Sequence, residues 1–170
     1  MKEEIVHTNP WFFIRNRDDY YSIEYPNHQV IVLPVINKYS FLLVRQYRPL
    51  LNSCTLELPA GGAFDGELPV EVAARELGEE TGLEIDDLDR FILQSPYILS
   101  PRYPHNPHIF QIDIKEDEFK TRKDHDHEIE RVLEMSYSEA LKKILNNEIN
   151  IGLHVAIIFR YLLVNGILKS

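Results

Sequence analysis

Three glutamates crowd one short segment of the chain and could hold a metal ion. Glu76, Glu79 and Glu80 lie within five residues, and on a helix Glu76 and Glu80 would stack one turn apart. Like charges this close repel one another, so we expect a cation to neutralise them. Carboxylate oxygens favour hard cations such as Mg²⁺ or Mn²⁺. The alternative is a solvated helix face, since glutamate is a good helix former.

The surrounding residues predict a helix from about residue 69 to residue 81. Pro69 suits the first helical position, and Gly82 suits the residue just past the end. One apolar stripe has helical spacing and would face a core, away from the glutamates: Val70, Ala73, Ala74 and Leu77. Arg75 is expected to orient a ligand carboxylate, although it could instead pair with Glu71 or Glu79 along the helix.

The pattern that contains these residues is Gly61-x5-Glu67-x7-Arg75-Glu76-Leu77-x-Glu79-Glu80-x-Gly82-Leu83. At every constrained position it resembles the signature box of the Nudix hydrolases, which here would span residues 61–83. Members of that family cleave a nucleoside diphosphate linked to another moiety. The resemblance implies two or more Mg²⁺ or Mn²⁺ ions that neutralise the diphosphate and lower the pKa of an attacking water.

Three further runs resemble the ADP-ribose pyrophosphatase branch of that family. They are Asn9 to Trp11, Leu43 to Pro49, and Glu57 to Gly62. The second run contains Arg48, which by this resemblance would grip the diphosphate, a task that suits its planar fork of donors.

The same resemblance implies a set of metal ligands. By position, the backbone carbonyl of Ala60 would bind a metal, Glu76 and Glu80 would be the principal carboxylate ligands, and Glu79 would complete or support them. The catalytic residues implied within the box are Glu79, Glu80 and Arg75.

A charged segment at residues 115–128 is the expected source of a general base. In similar pyrophosphatases, a glutamate from a loop at this depth enters the site as a metal ligand or base, which here indicates Glu128, with Glu130 as the second choice. Closure of such a loop would exclude water and set the attack geometry. A solvated, mobile loop is the alternative, and a zinc site at His125 and His127 is another.

Candidate substrate contacts come from aromatic and basic residues. Trp11, with the two phenylalanines that follow it, could stack an adenine or could anchor the terminus to the core. Arg102, together with Tyr103 and His105, could line the pocket over a terminal ribose or sugar.

Composition favours an enzyme with one domain, residues 1–170, over a nucleic-acid-binding protein. The chain has 170 residues, 44% of them hydrophobic, and a net charge of −9, which disfavours non-specific binding of nucleic acid. Cys54, the only cysteine, excludes a disulfide within the chain and is expected to be buried.

No segment has the length of a signal peptide or a membrane span, so we expect a cytoplasmic protein that binds no membrane. A homodimer is one option.

The remaining pattern predicts a mixed sheet between helices. Residues 1–28 form a short N-terminal strand or hairpin segment. Runs rich in β-branched and other apolar residues predict strands at Gln29 to Ile36, Ser40 to Gln46, Cys54 to Leu58, Phe91 to Tyr97, His108 to Ile114 and Ile129 to Met135. A helix begins after Ser136, with Ala140, Leu141, Ile144 and Leu145 facing inward, and a buried helix spans Val155 to Val164. The fold class is α/β, an α/β/α sandwich, which the Nudix resemblance also implies.

The function expected from the sequence is metal-dependent hydrolysis of a nucleoside diphosphate compound. ADP-ribose or a related nucleotide sugar is the leading substrate, and the products would be a nucleoside monophosphate and a phosphorylated second moiety. Within the same family, a GDP-sugar or a dinucleoside polyphosphate is an alternative. A non-catalytic Nudix domain that binds a nucleotide to regulate another process is the alternative from a different class.

Overall fold

The computed structural model describes residues 2–168, in which ten strands and four helices form. The strands are β1 (Glu3–Thr8), β2 (Phe13–Arg17), β3 (Tyr20–Glu24), β4 (Gln29–Ile36), β5 (Ser40–Arg48), β6 (Ser53–Glu57), β7 (Ala60–Gly62), β8 (Ile92–Leu93), β9 (His108–Ile114) and β10 (Ile129–Ser136). The helices are α1 (Pro69–Thr81), α2 (Glu116–Lys120), α3 (Tyr137–Leu145) and α4 (Gly152–Val164).

A mixed sheet of seven strands forms the centre of the protein. Its main path runs β10-β5-β4-β9-β8, while β6 pairs with β5 and β7 pairs with β4. Strands β4 and β9 are parallel, and the other pairs are antiparallel. Asn37 and Lys38 join β4 to β5 with positive φ angles of 48° and 61°, the conformation that a tight hairpin turn requires. The two strands predicted here are therefore confirmed, and they form a hairpin.

Helices cover both faces of this sheet. Along β4, Val30 and Val32 pack with α1, whereas Ile31 and Leu33 pack with α3 and α4. This alternation follows from the two-residue period of a strand, since both faces of β4 are buried. The α/β/α sandwich expected from the sequence is confirmed.

Helix α1 has the predicted limits. It begins at Pro69 and ends at Thr81, and Gly82 closes it with φ 76° while its N–H bonds to the carbonyl of Gly78 at 2.8 Å. A side chain at Gly82 would collide with backbone, because a Cβ there would lie 2.0 Å from the carbonyl oxygen of Lys123. The helix end and the segment near residue 123 are thus packed backbone to backbone.

Two predicted elements differ in detail. The strand expected at Phe91 to Tyr97 is only Ile92–Leu93, because Pro96 has no N–H to continue the pairing with β9. Helix α3 is present with Ser136 as its N-cap, but Leu145, its last residue, is exposed rather than inward. Helix α4 confirms the buried C-terminal helix. No helix in residues 2–168 combines the length and apolar character needed to cross a membrane.

Cys54 is exposed, which corrects the expectation that it is buried. Strand β6 turns Thr55 and Glu57 inward, and the two-residue period then directs Cys54 outward, where its Sγ lies 3.4 Å from a carboxylate oxygen of Glu130. Polar residues, and not the cysteine, occupy the inward positions of this strand.

The N-terminal segment is a separate antiparallel sheet of three strands, more than the short strand or hairpin that we expected. Inside it, Glu24 is only 1% exposed and accepts hydrogen bonds from Arg15, Arg17 and Ser22. This sheet reaches the rest of the protein where the Ile23 N–H bonds to the carbonyl of Arg102 at 2.9 Å.

Candidate active site

Helix α1 lies against strand β7, and two of its carboxylates contact the backbone of β7. The N–H of Ala60 donates to Oε2 of Glu80 at 3.2 Å. The carboxylate of Glu76 fills the space where a side chain at position 61 would be, since a Cβ on Gly61 would lie 2.1 Å from its Oε1. Glycine at this position therefore allows the carboxylate to touch the backbone.

These two carboxylates are held in an unfavourable environment for negative charge. Glu76 is 8% exposed, and burial raises its pKa, with Glu79 adding and Arg75 opposing. Burial likewise raises the pKa of Glu80 to about 8. Two carboxylates that repel each other, one buried and one half-buried, need a positive charge nearby to remain ionised at neutral pH.

Arg75 connects residues of the Nudix-like segment by hydrogen bonds to several of its carboxylates. Its Nη1 donates to Glu76 and to Glu79, at 2.8 Å each, while Nε and Nη2 donate to Glu67 at 2.9 and 3.1 Å. Nη2 also donates to the carbonyl of Gly62 at 2.8 Å. Arg75 thus orients the Glu76 carboxylate, the contact expected of a residue behind a metal ligand.

The donor set fits a hard divalent cation. Within residues 2–168, no three acidic, histidine or cysteine side chains already converge as a complete metal site, because Glu76 faces Arg75 and Glu80 faces the Ala60 N–H. The carboxylates and the Ala60 backbone nevertheless lie together. They offer oxygen atoms as metal ligands, and the cluster of carboxylates carries excess negative charge. Glu79 is exposed and belongs to the edge of this group.

Arg48 extends the site across the sheet. Its Nε and Nη2 form a two-pronged ion pair with Glu57, at 2.7 Å for each bond, and Glu57 is 2% exposed. Burial alone would raise the pKa of Glu57, but hydrogen bonds from Arg48 and Thr55 hold it below its usual range. No described residue accepts a hydrogen bond from Nη1 of Arg48. This nitrogen is available to an anionic ligand.

A cavity of about 410 Å³ lies in front of these groups. Its lining combines residues of the site with side chains from the loop before β9, and it includes Tyr25, Arg48, Glu57, Ala60, Gly61, Tyr103, His105 and His154. A second cavity of about 630 Å³ adjoins it, since Tyr25, Gln29 and His105 line both. Volumes of this size hold small-molecule ligands.

The loop before β10 is joined to the C-terminal end of helix α1 by two backbone hydrogen bonds. The Lys123 N–H donates to the carbonyl of Gly82 at 2.9 Å, and the Asp126 N–H donates to the carbonyl of Glu79 at 2.7 Å. Strand β10 pairs Ile129 with Gln46 of β5, so Glu128 precedes the strand at the end of β5 that carries Arg48. This loop therefore presents Glu128, which is exposed, on the side of the site where Arg48 lies.

The other polar residues of this loop have local partners. Glu130 forms an ion pair with Arg45 and contacts Cys54 on the neighbouring strands. The Nδ1 atoms of His125 and His127 lie against the carbonyl and the carboxylate of Asp126 at 3.0 and 2.6 Å.

The predicted substrate residues are not all brought together. Tyr103 and His105 line the cavity, whereas the Arg102 guanidinium is exposed and lies 3.4 Å from the carbonyl of Tyr21. Trp11 is 74% exposed and is not among the residues that line either cavity. Roles for Arg102 and Trp11 in binding stay predictions.

The sequence did not single out three residues that complete the site: Tyr25, Glu57 and His154. Glu57 was part of a run that resembled the family but carried no role. His154 carried one recognisable signal, which is a polar residue inside an apolar helix.

Comparisons with known proteins agree with this geometry. Three curated proteins resemble parts of the chain. An ADP-ribose pyrophosphatase of Bacillus subtilis (strain 168) is 32% identical over 124 residues, 71% of this chain and 64% of that protein. A methanol dehydrogenase activator of Bacillus methanolicus is 40% identical over 63 residues, 37% of this chain and 34% of that protein. An ADP-sugar pyrophosphatase of Mus musculus is 47% identical over 57 residues, 31% of this chain and 26% of that protein. The chain thus spans less than two thirds of the length of each relative.

A solved structure shares the whole fold. The crystal structure of an ADP compounds hydrolase superposes with a TM-score of 0.68 at 17% sequence identity, covering 98% of this chain and 94% of that one. A sequence model of the NUDIX domain matches residues 26–152, which is more than half of the chain and contains the carboxylate cluster of helix α1. The chain belongs to the NUDIX domain family.

Proposed function

We propose that this protein hydrolyses the diphosphate bond of a nucleotide sugar, with ADP-ribose as the leading substrate. The observation that carries the proposal is the pair of carboxylates, buried Glu76 and half-buried Glu80, that contact the Ala60–Gly61 backbone, where Arg48 with its free Nη1 lines the same cavity. A cation held by the carboxylates and a guanidinium together suit a diphosphate. Two curated relatives with similar segments are an ADP-ribose and an ADP-sugar pyrophosphatase.

Two or more Mg²⁺ or Mn²⁺ ions are the proposed cofactors, since NUDIX hydrolases generally need divalent metals. Glu76, Glu80 and the Ala60 carbonyl would hold them, with Glu79 completing or supporting the set. When bound, such ions neutralise the diphosphate and make a bound water acidic enough to attack phosphorus.

The protein supplies orientation around this chemistry. Glu57 holds Arg48 through a two-pronged ion pair, which fixes the direction of the remaining Nη1 toward a diphosphate. Arg75 fixes the Glu76 carboxylate. The two adjoining cavities offer space for the nucleoside and for the second moiety on either side of the diphosphate.

Glu128 is the proposed general base. It comes just before Ile129, which pairs with Gln46 near the Arg48 end of β5, and its loop is hydrogen-bonded to the end of helix α1, whereas Glu130 is paired with Arg45. We expect Glu128→Gln to lower kcat by about 10²- to 10⁴-fold, the usual contribution of a positioned base, with little change in metal binding. Glu130→Gln is the matched control. Full activity of Glu128→Gln with loss in Glu130→Gln would move the base to Glu130.

A substrate panel tests the proposed activity. ADP-ribose, other ADP-sugars, GDP-mannose and diadenosine polyphosphates are incubated with Mg²⁺ in ¹⁸O-labelled water, and the products are identified by mass spectrometry. Preferred hydrolysis of ADP-ribose or an ADP-sugar, with one labelled phosphate, supports the proposal. Preference for GDP-sugars or dinucleoside polyphosphates gives the alternative substrate within the family.

A regulatory domain without catalysis is the second candidate, because one partial relative is named a methanol dehydrogenase activator. Binding of nucleotides without hydrolysis of any panel member would favour it. The complete carboxylate set of helix α1 favours the enzyme, since a sensor does not need every metal ligand. A cytoplasmic location, a homodimer and a single domain over residues 1–170 stay predictions from the sequence.

A further inference from the structure

His154 is a buried polar side chain in the apolar helix α4. It is 5% exposed, and its neighbours along the helix include the core residues Ile157 and Ile158. A buried polar group needs hydrogen-bond partners. One partner is clear, because the N–H of Leu58 donates to Nδ1 of His154 at 3.1 Å.

This bond decides which ring nitrogen carries the proton. A backbone N–H can only donate, so Nδ1 has no proton and the neutral ring is protonated at Nε2. Burial lowers the pKa of His154 to about 4, with Glu57 opposing and Arg48 adding, so the ring is neutral at pH 7. His154 is therefore a hydrogen-bond donor through Nε2.

The donor has no acceptor within the described part of the chain, yet the ring lines the cavity of the candidate active site. Glu57 is the nearest candidate by charge, but its carboxylate is occupied by Arg48 and Thr55 and accepts no hydrogen bond from His154. A ligand bound in this cavity can supply the acceptor. Arg48 in the same cavity also has a free donor, so the site presents two donors and favours a group made of acceptors only.

We propose that Nε2–H of His154 donates a hydrogen bond to a diphosphate oxygen of the substrate, beside Arg48. The proposal rests on the proposed diphosphate hydrolysis and adds a binding residue to it. His154 thus connects helix α4 to the site in two ways, since Nδ1 also holds Leu58, two residues before Ala60.

Two substitutions separate the ligand contact from the backbone contact. The short side chain in His154→Asn places an amide oxygen near the position of Nδ1 and keeps an acceptor for Leu58, but it lacks the donor at Nε2. The longer side chain in His154→Gln places an amide nitrogen near Nε2 and keeps the donor, but it leaves the Leu58 N–H without its acceptor. The pair is matched in chemistry and differs in which contact survives.

We expect His154→Asn to fold with a Tm close to that of the parent and to lose about 10- to 100-fold in kcat/KM for ADP-ribose, the range for hydrogen bonds to charged groups. His154→Gln should have a lower Tm and a kcat/KM nearer to the parent value. If His154 only supports the backbone, the order reverses: His154→Asn keeps activity and His154→Gln loses it. That reversal overturns the proposal.

Binding of inorganic pyrophosphate in the presence of Mg²⁺, measured by calorimetry, tests His154 without turnover of a nucleotide. Weaker binding to His154→Asn than to the parent supports the diphosphate contact, even if the parent hydrolyses no panel member and the proposed function itself fails. Weaker binding of ADP-ribose with unchanged binding of pyrophosphate places the ring on another part of the substrate and overturns the proposal. In the ¹⁵N-labelled parent, pyrophosphate should shift the Nε2 proton resonance of His154, and no shift at saturation also overturns it.

Discussion

Two glutamates in this protein, buried Glu24 and half-buried Glu80, have opposite surroundings. Glu24, in the N-terminal sheet, accepts hydrogen bonds from Arg15 at 3.1 Å, Arg17 at 2.5 Å and Ser22 at 2.7 Å. Burial alone would raise its pKa, but these donors lower it to about 2. Glu80, in helix α1, has one backbone N–H as partner, and burial raises its pKa to about 8.

We infer from this difference that Glu24 has a structural role, and we propose a functional one for Glu80. Glu24 has its cations within the fold, so its charge is neutralised when the chain folds. Glu80 lies with other carboxylates, and the nearest opposing charge, Arg48, is already paired with Glu57. A carboxylate left without its own cation indicates a site that an external cation completes.

The largest expected effect is on turnover. Glu80→Gln should reduce metal-dependent hydrolysis by about 10³-fold or more, because the metal ions contribute several kcal/mol of transition-state stabilisation. In EDTA, the free energy of unfolding of Glu80→Gln should be no lower than that of the parent. Steady-state kinetics and urea denaturation measure the two effects, with Glu148→Gln, an exposed glutamate paired with Lys143, as control. Hydrolysis at the parent rate would show that Glu80 is not a metal ligand.

A second substitution tests the structural half of the comparison. Glu24→Gln should lower the free energy of unfolding by about 1–3 kcal/mol, because Arg15 and Arg17 lose the charge to which they bond. The folded variant should keep a kcat close to that of the parent. Glu4→Gln, on the exposed strand β1, is the control in the same sheet. Loss of kcat without loss of stability would contradict the assignment of Glu24 as structural.

A smaller effect is the opposite dependence of stability on pH. The folded-state pKa of Glu24, about 2, is below its ordinary value of 4.5, so its contribution is present above pH 4.5 and is lost as the pH falls toward 2. The folded-state pKa of Glu80, about 8, is above 4.5, so its contribution is full below pH 4.5 and is lost as the pH rises through 8.

Urea denaturation in EDTA from pH 2 to pH 9 measures both slopes. Glu24→Gln should flatten only the loss of stability on the acid side. Glu80→Gln should flatten only the loss of stability between pH 4.5 and pH 8. Adding Mg²⁺ to the parent should remove the same loss near neutral pH. If Glu24→Gln flattened the neutral side instead, the two carboxylates would not have the separate roles assigned to them.

Local patterns predicted much of the site from the sequence. Pro69, Gly82 and the apolar spacing gave the limits of helix α1 to the residue, because helix ends depend on neighbouring residues. The same spacing placed Glu76 and Glu80 on one side. These features involve contacts within a few residues, so one stretch of chain contains all the information.

Contacts between distant residues could not be predicted in this way. His154 reaches Leu58 across 96 positions, and Glu57 was not distinguished as the partner of Arg48. Cys54 was expected to be buried because free cysteines usually are, but pairing with β5 turned the neighbouring polar residues inward. The pairing of strands decides which side chains face inward, and the number of apolar residues in a segment does not reveal that pairing.

The lining of the active-site cavity extends past both ends of the segment that marks the family. The recognisable NUDIX segment is residues 26–152, yet Tyr25 lies just before it and His154 just after it. The hydrogen bond from Ile23 to Arg102 likewise joins an outside strand to the loop that carries Tyr103 and His105. A protein trimmed to the family segment would keep the glutamates of helix α1 but lose part of the cavity wall. Divergence among relatives in these flanking residues could therefore change substrate preference while the box stays the same.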